Sequence, residues 1–331
     1  MKLLITGATG YIGHPLALKL AEQGHQVHIL VRNLQSKNIP SHPNIRLFEG
    51  DITDPQSIEP AIKGCKHVFH VAAYARLASK NPDLFYQINV KGTENMLIES
   101  VKAGVEKFIY TSSVAVFGPS LKFPLTENDP RIKKFENDYE LTKCMAENLV
   151  RNYHEKGLPG IIVNLSRVYG PGAGEYSNGV NKFISKVLKK RFLVVPDRQN
   201  ISANYVFIDD VIAGHLMAMN KGKTGESYII GGENVSYKTL FSTIKVLAGT
   251  RSKFIKIPYN LVKAGFYMGH FLSKFSETET LISPKILKQL FTNRCVSSQK
   301  AITQLGYKYT PLQTGIQKTI NYLNYKSHEI S

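Results

Sequence analysis

Short apolar runs alternate with longer amphipathic stretches along the first half of the chain. The runs are rich in β-branched and aromatic residues and are bounded by turn formers, which predicts buried strands; they cover 2–6, 26–31, 45–50, 67–72, 107–112 and 160–166. The stretches between them have helical spacing and end in a glycine, as helix C-termini often do; they cover 11–24, 55–64, 84–104 and 139–157. This alternation predicts an α/β fold with a doubly wound parallel sheet and helices on both faces.

The alternation loosens beyond about residue 170. A glycine-rich loop over 169–179 leads to a basic helix over 182–191, and a further strand is predicted at 227–232. A chain of 331 residues exceeds the usual size of a single core. We therefore expect a large domain over 1–170 and a smaller C-terminal lobe over 171–331. The two are interleaved, because the strand near 227–232 is expected to return to the sheet.

Composition is that of an ordinary globular protein, with 43% apolar and 20% charged residues. The three cysteines (Cys65, Cys144 and Cys295) are far apart and outside any CxxC spacing, and the ten histidines are dispersed. Such a distribution argues against a disulfide framework and against a metal site. There is no signal-peptide pattern and no apolar run of membrane-spanning length, so the sequence predicts a cytoplasmic protein.

The net charge of +17 is high, and it is unevenly distributed. Residues 251–331 contain 12 Lys or Arg and 3 Glu. A solvated basic surface, an anionic small-molecule substrate and an anionic membrane surface are the alternatives that this charge leaves open. The apolar segment over 257–275 has three interpretations: plain packing, which is the default, a helical lid over an apolar substrate, and a helix that contacts a membrane surface. A nucleic-acid partner is not expected, because no recognition module accompanies the charge.

The segment TGATGYIG, residues 6–13, follows the first predicted strand and opens the first predicted helix. Its glycines have the spacing of a dinucleotide-binding turn. Gly7 permits the turn, Gly10 lets the backbone approach the pyrophosphate, and Gly13 lets the helix pack closely with its N-terminus facing the phosphates. A tight turn without a ligand is the alternative.

Other residues at the ends of the first four strands extend this interpretation. Asp51, with Ile52 beside it, follows the third strand, where a carboxylate can accept a hydrogen bond from the adenine amino group. The small residues Val71, Ala72 and Ala73 end the fourth strand and allow close approach of the cofactor. The complete set of predicted cofactor-binding residues is Gly7, Thr9, Gly10, Tyr11, Ile12, Gly13, Arg32, Asp51, Ile52, Val71, Ala72, Ala73, Tyr139 and Lys143.

Arg32 ends the second predicted strand, where the 2′ position of the adenosine ribose would lie. An acidic residue there would bind the 2′-hydroxyl, whereas an arginine favours a 2′-phosphate. The sequence therefore favours NADP(H) over NAD(H), with a plain surface role for Arg32 as the alternative.

Tyr139 and Lys143 are four residues apart on one predicted helix and so share a face. A phenol ordinarily titrates near pH 10, and a neighbouring ammonium is expected to lower its pKa. Tyr139 is then a candidate acid or base for alcohol–carbonyl interconversion. Ser112 and Ser113 end the fifth strand, at the sheet edge where ligands bind, and can polarise the reacting oxygen.

These motifs together resemble the extended short-chain dehydrogenase/reductase family over essentially the full chain. TGATGYIG, GDITD, HVAA, NVKGTENML, YTSS, YELTK, RVYGPG and IDDV occur in the order and spacing of that family. The segments over 69–97 and 296–320 are similar to bacterial dihydroflavonol-4-reductase-like members and to 3β-hydroxysteroid dehydrogenases. The resemblance implies a Rossmann dinucleotide-binding domain, a C-terminal substrate-binding lobe, catalytic roles for Ser113, Tyr139 and Lys143, and a structural role for Asn89. Leu165 and Phe207 depart from the residues common in the family, which are proline and histidine.

Three functions follow, in order of preference. The first is an NAD(P)-dependent oxidoreductase that interconverts a secondary alcohol and a ketone of a small-molecule substrate. The second is a nucleotide-sugar epimerase or dehydratase that retains NAD; the TSSVA segment, residues 111–115, lacks the acidic residues usual beside the serine of dehydratases. The third is a non-catalytic cofactor-sensing protein. The chain is expected to be a monomer or a homodimer.

Overall fold

A computed structural model describes residues 1–76, 79–172, 179–273 and 284–329. Its strands are β1 (Lys2–Thr6), β2 (Gln26–Val31), β3 (Ile45–Glu49), β4 (His67–His70), β5 (Lys107–Ser113), β6 (Gly160–Leu165), β7 (Arg167–Tyr169), β8 (Phe192–Pro196), β9 (Ser202–Phe207), β10 (Ser227–Ile230), β11 (Glu233–Ser236) and β12 (Lys253–Ile257). Seven of them form one parallel sheet in the order β3-β2-β1-β4-β5-β6-β10. The doubly wound parallel sheet predicted from the sequence is confirmed.

The α-helices are α1 (Gly13–Glu22), α2 (Pro55–Ile62), α3 (Asp83–Phe85), α4 (Gly92–Lys102), α5 (Asp138–Glu155), α6 (Gly179–Lys189), α7 (Ile208–Lys221), α8 (Tyr237–Ala248), α9 (Tyr259–Ser273), α10 (Pro284–Leu290), α11 (Gln299–Leu305) and α12 (Leu312–Glu329). Alternate residues of each central strand point to opposite faces of the sheet. Leu3 and Ile5 of β1 therefore join a core with α1 and α7, whereas Leu4 joins a core with α2, α4 and α5. Burial on both faces explains why these strands are continuous apolar runs.

The later part of the chain contributes to several layers. β10 lies at the edge of the main sheet beside β6. β7, β9 and β11 form a three-stranded sheet, and β8 pairs in parallel with β12. The division into a domain over 1–170 and a lobe over 171–331 stays a prediction. Within the described residues, no helix combines the length and the apolar character needed to cross a membrane.

The segment predicted as one helix over 84–104 is interrupted. A π-helical segment, Tyr86–Lys91, separates α3 from α4. It contains the buried Asn89, whose side chain bonds to the backbone of Tyr74 and to Thr142 of α5. The helical pattern of the sequence did not predict this π turn. Such segments are frequent at functional sites.

Candidate active site

The carboxyl ends of the parallel strands meet at one edge of the sheet. β1 has β2 on one side and β4 on the other, so the chain leaves the sheet in opposite directions from this point. Crevices that bind ligands form at such switch points. Gly7 follows β1 and Val71 follows β4 at this edge, and Ser113 is the last residue of β5 there.

Gly7 and Gly13 are required by the backbone around them. Gly7 has a φ of +75°, and a Cβ there would lie 2.7 Å from the amide nitrogen of Ala72. A Cβ on Gly13 would collide with the carbonyl group of Gly7. Gly10 is different, because it is exposed and its Cβ would meet only the Gly7 carbonyl oxygen, at 3.2 Å. The missing side chain of Gly10 therefore leaves open space on the outer side of the turn.

The N-terminus of α1 faces this open turn. Its N-cap residue is Ile12, which makes no side-chain cap, and the first turn contains no acidic residue. The amide of His14 donates to the carbonyl oxygen of Gly10 and Pro15 has no N–H, whereas the amides of Ile12 and Gly13 make no hydrogen bond within the described residues. These two amides and the positive end of the helix dipole are thus available to an anion. Thr9 and Ile12 are partly exposed beside them. The arrangement fits a pyrophosphate group.

The phenol of Tyr11 packs behind the glycine turn. Its hydroxyl donates to the carbonyl oxygen of Gly170 at 2.8 Å, and Asn181 donates to the same oxygen at 2.7 Å. Burial raises the pKa of Tyr11. This phenol therefore joins the turn to the loop after β7. Residues 173–178 of the predicted glycine-rich loop lie outside the described residues.

Arg32 and Asp51 follow β2 and β3. Arg32 is exposed and makes no hydrogen bond or ion pair within the described residues. One oxygen of Asp51 accepts from the backbone and hydroxyl of Thr53, both at 2.8 Å. Ile52 is buried against Gly92, where a Cβ would lie 2.7 Å from its Cδ1 atom. Arg32 thus offers a free guanidinium at the position predicted for the 2′ group.

A buried chain of hydrogen bonds supports the residues after β4. The amide of Ala72 donates to Thr6 at 3.3 Å, and Thr6 and Thr93 bond the two ring nitrogens of His70 at 2.7 and 3.0 Å. Burial, and then the charge of Lys143, lowers the pKa of His70 to about 3, so this ring is neutral. Val71, Ala72 and Ala73 are partly exposed at the edge that this chain holds in place.

Tyr139 meets Ser113 at the end of β5. Asn137 caps α5 by accepting from the amide of Glu140 at 2.9 Å, which places Tyr139 in the first turn of the helix. The hydroxyl of Ser113 lies near the phenol of Tyr139. Burial raises the pKa of Tyr139, and the interaction with the Ser113 side chain opposes that rise. The expectation that Lys143 lowers this pKa is wrong for the structure, because burial dominates.

Lys143 lies one turn further along α5 and is buried. Its Nζ donates to the carbonyl oxygen of Thr111 at 2.7 Å and sits 4.1 Å from the ring centroid of Tyr110. Burial lowers its pKa to about 7, although the carboxylate of Glu147 acts in the opposite direction. An ammonium has three donors, and one of them is used by Thr111.

Glu147 continues the same face of α5 and was missed by the sequence reasoning. It is buried, accepts from Asn164 at 2.6 Å and lies 3.4 Å from Arg151. Burial raises its pKa. Its spacing was the available signal. Glu147 is four residues beyond Lys143, as Lys143 is four beyond Tyr139, so all three share one face of the helix.

A second buried charge cluster surrounds Glu140, the neighbour of Tyr139. Its carboxylate pairs with Arg131 at 2.5 Å and with Arg294. Arg131 also donates to the carbonyl oxygens of Ala115 and Val116, just after Ser113. The cluster therefore fixes the start of α5 relative to the end of β5. Sequence reasoning could not find it, because its members are up to 163 positions apart in the chain.

Arg167 occupies the same edge on the other side of Ser113. Its Nη1 donates to the hydroxyls of Tyr237 and Tyr205, at 3.0 and 3.3 Å. No carboxylate pairs with it within the described residues. The departures noted in the sequence are both apolar core positions: Leu165 lies opposite Ser113 in the sheet, and Phe207 packs on Tyr169.

A family model described as the NAD dependent epimerase/dehydratase family matches residues 3–231. A curated relative, the putative dihydroflavonol 4-reductase of Synechocystis sp., is 34% identical over 253 residues, which cover 74% of this chain and 72% of the relative. The 3-beta-hydroxysteroid dehydrogenase of Mycolicibacterium neoaurum is 29% identical, over 98% of this chain and 91% of its own. The solved UDP-glucose 4-epimerase of Thermotoga maritima, 24% identical, has the same fold, with a TM-score of 0.81 over 99% of this chain and 100% of that chain.

Proposed function

Since the chain belongs to the NAD dependent epimerase/dehydratase family, within the extended short-chain dehydrogenases/reductases, we propose that it uses NADP(H) to interconvert a secondary alcohol and a ketone at Ser113, Tyr139 and Lys143. It is a nicotinamide-dependent enzyme of the extended short-chain type. The roles of its individual residues and its preference for the phosphorylated cofactor are our proposals.

The observation that carries the residue roles is the proximity of the Ser113 side chain to the phenol of Tyr139, with Lys143 one turn away on the same helix face. The nicotinamide nucleotide, when bound, supplies or accepts the hydride. Ser113 holds and polarises the substrate oxygen through its hydroxyl. Tyr139 gives the proton to that oxygen during reduction and takes it back during oxidation.

Lys143 acts beside Tyr139. Its ammonium donates one hydrogen bond to Thr111, and its other donors would hold the ribose of the nicotinamide nucleotide. A pKa of about 7 allows its charge to change at physiological pH. Glu147, one turn further, favours the charged form. Tyr139 would thus exchange its proton next to Lys143, and the carboxylate of Glu147 favours the charged form of that lysine.

The glycine turn and the strand ends form the rest of the nucleotide site. The open side of Gly10 and the uncapped start of α1 fit the pyrophosphate. Asp51 would accept from the adenine amino group, with Ile52, Val71, Ala72 and Ala73 bordering the nucleotide. Arg32, exposed and unpaired within the described residues, would bind a 2′-phosphate. This free cation is the support for NADP(H) over NAD(H).

Replacement of the phenol tests the proposal. Tyr139→Phe removes the hydroxyl that transfers the proton, so we expect kcat to fall at least about 1,000-fold while the Kd for NADPH stays within about twofold. Tyr153→Phe, on the same helix but partly buried in another core, is the matched control and should retain full activity. A Tyr139→Phe enzyme that keeps most of its turnover would contradict the assignment.

A nucleotide-sugar epimerase or dehydratase is the second candidate. The family is described as one of epimerases and dehydratases, and the solved Thermotoga maritima protein is a UDP-glucose 4-epimerase. Residues 114–117 after Ser113 are Val, Ala, Val and Phe, which supply no acid for a dehydratase. An epimerase regenerates its cofactor, whereas a reductase consumes it. Stoichiometric NAD in the denatured, purified protein, with no net oxidation of added NADPH, would favour the epimerase.

Three other expectations stay predictions. Among the described side chains of α9, four large hydrophobic ones are exposed, which supports peripheral membrane contact: Leu261, Tyr267, Met268 and Phe271. Liposome co-sedimentation tests this, and light scattering distinguishes a monomer from a homodimer. A cytoplasmic location also stays a prediction.

A further inference from the structure

Arg167 stands close to the proposed catalytic serine. Ser113 of β5 lies opposite Leu165 of β6, and Arg167 begins β7 two residues later. Because Arg167 is two residues beyond Leu165, the Cα atoms of these residues are at most about 7 Å apart. Arg167 therefore begins the smaller sheet of β7, β9 and β11 next to the residue that pairs with Ser113.

Two tyrosines fix one corner of the guanidinium. Nη1 donates to Tyr237 and Tyr205, and the central carbon of the guanidinium is 5.7 Å from each ring centroid. The hydroxyl of Tyr237 itself donates to the carbonyl oxygen of Leu290 at 2.6 Å, so its lone pairs turn towards Arg167. The orientation of the guanidinium is thus determined by three elements of the fold.

The opposite edge of the guanidinium has no hydrogen-bond partner in the part of the chain that the structure describes. Nε and Nη2 make no hydrogen bond within the described residues, and neither is among the unpartnered atoms that are buried from solvent. This edge presents two parallel donors, the geometry that matches two oxygens of a carboxylate or a phosphate.

Across residues 1–76, 79–172, 179–273 and 284–329, no carboxylate forms an ion pair with Arg167. The other two arginines near Tyr139, Arg131 and Arg294, both pair with the carboxylate of Glu140. Among the described residues, the neighbours of Arg167 include the hydroxyls and rings of Tyr205 and Tyr237 and the thiol of Cys295. Holding a partly buried cation without an anion is costly, and a bound anion would remove that cost.

We propose that Arg167, held by Tyr205 and Tyr237, is the anion-binding residue of the substrate site, and that the substrate is a ketone or secondary alcohol carrying a carboxylate or phosphate group. The proposal rests on the proposed function, because it names the class of substrate for that chemistry. The anion binds the Nε and Nη2 edge, and the carbonyl oxygen lies towards Ser113 and Tyr139.

Matched pairs of ketones test the substrate class. NADPH oxidation is measured with levulinate against methyl levulinate, and with dihydroxyacetone phosphate against dihydroxyacetone, so that one pair tests carboxylate and the other phosphate. We expect kcat/KM to be at least about tenfold higher for the anionic member of at least one pair, as expected for a charge-assisted bidentate contact. Arg167→Met should bring that ratio close to one. Arg167→Lys, which keeps the charge but loses the paired donors, should keep only part of it.

Binding measured without turnover separates this proposal from the chemistry. In the Tyr139→Phe background, levulinate and dihydroxyacetone phosphate are titrated calorimetrically into the NADPH complex, with and without Arg167→Met. Lys189→Met, which removes an exposed charge on α6, is the control. The subsite would be supported if either anion binds, if Arg167→Met abolishes that binding and if Lys189→Met preserves it. This result would count for the subsite even if no ketone were reduced. Equal use of both members of each pair, a preference that survives Arg167→Met, or a loss of NADPH affinity in Arg167→Met instead would overturn it. Reduction of neutral ketones would then leave the proposed function standing.

Discussion

Gly10 and Gly13 of the first turn should respond differently to the addition of one methyl group. In Gly10→Ala the new Cβ meets only the Gly7 carbonyl oxygen, at 3.2 Å, and the backbone of Gly10 has no positive φ. We expect the free energy of unfolding to change by less than about 1 kcal/mol, because a small shift relieves this contact. The methyl group nevertheless fills the open side of the turn, so the Kd for NADPH should rise at least about tenfold, or 1.4 kcal/mol.

Gly13→Ala should have the opposite profile. Its Cβ would lie 2.7 Å from the carbonyl carbon of Gly7 and closer still to the oxygen, so the backbone of the turn must move. Overpacking of this kind against backbone should cost about 3 kcal/mol of folding free energy. Urea unfolding followed by circular dichroism gives the stabilities, and NADPH fluorescence titration gives the affinities.

Gly265→Ala, on the exposed side of α9 with nothing within 4 Å of its Cβ, is the control and should leave the Kd unchanged. A Gly10→Ala protein that binds NADPH as tightly as the wild type would refute the placement of the pyrophosphate. A Gly13→Ala protein as stable as the wild type would refute the close packing of α1 on the turn.

Two further predictions concern charge. Arg32→Ser should raise the Kd for NADPH about 10-fold to 100-fold and leave the Kd for NADH within about twofold, because it removes a charge-assisted contact to a 2′-phosphate worth about 1.5–3 kcal/mol. Titrations with both cofactors check this, and Lys63→Ser, at an exposed position, is the control. An equal loss of affinity for both cofactors would count against the assignment. Lys143 should make the free energy of unfolding rise with pH. A lysine in the unfolded chain keeps its proton up to about pH 10.4, whereas folded Lys143 has a pKa of about 7. Between these values the unfolded chain therefore binds more protons than the folded one. The free energy of unfolding of the wild type minus that of Lys143→Met should therefore increase between pH 7 and pH 10, on the order of 4 kcal/mol over the full window; chemical denaturation across that range measures it, and a flat difference would mean that Lys143 is not buried as described.

The sequence predicted the main sheet well for a physical reason. Its strands are buried on both faces, so they appear as continuous apolar runs, and the predicted helices between them end at glycines with positive φ: Gly24, Gly64, Gly104 and Gly157. The pairing of Tyr139 with Lys143 follows from helical spacing alone. Local periodicity and local spacing are sufficient for these features.

What could not be predicted depends on contacts between distant segments. The ion pairs of Glu140 join residues from three parts of the chain, and the phenol of Tyr11 finds its partner at Gly170. The pKa of Tyr139 was expected to fall because only its helix neighbour was visible in the sequence. Burial by the rest of the fold raises it instead. The roles of the predicted site residues stay predictions until the variants are measured.

The central claim is that Ser113 and Tyr139 act together on one substrate oxygen. The most direct test is a double-mutant cycle in which kcat/KM is measured for Ser113→Ala, Tyr139→Phe and the double variant, with NADPH affinity measured for each. The account predicts that each single variant loses at least about 100-fold, that the double variant loses little more than the worse of the two, and that NADPH still binds. Fully additive losses, or a single variant with near wild-type turnover, would contradict it.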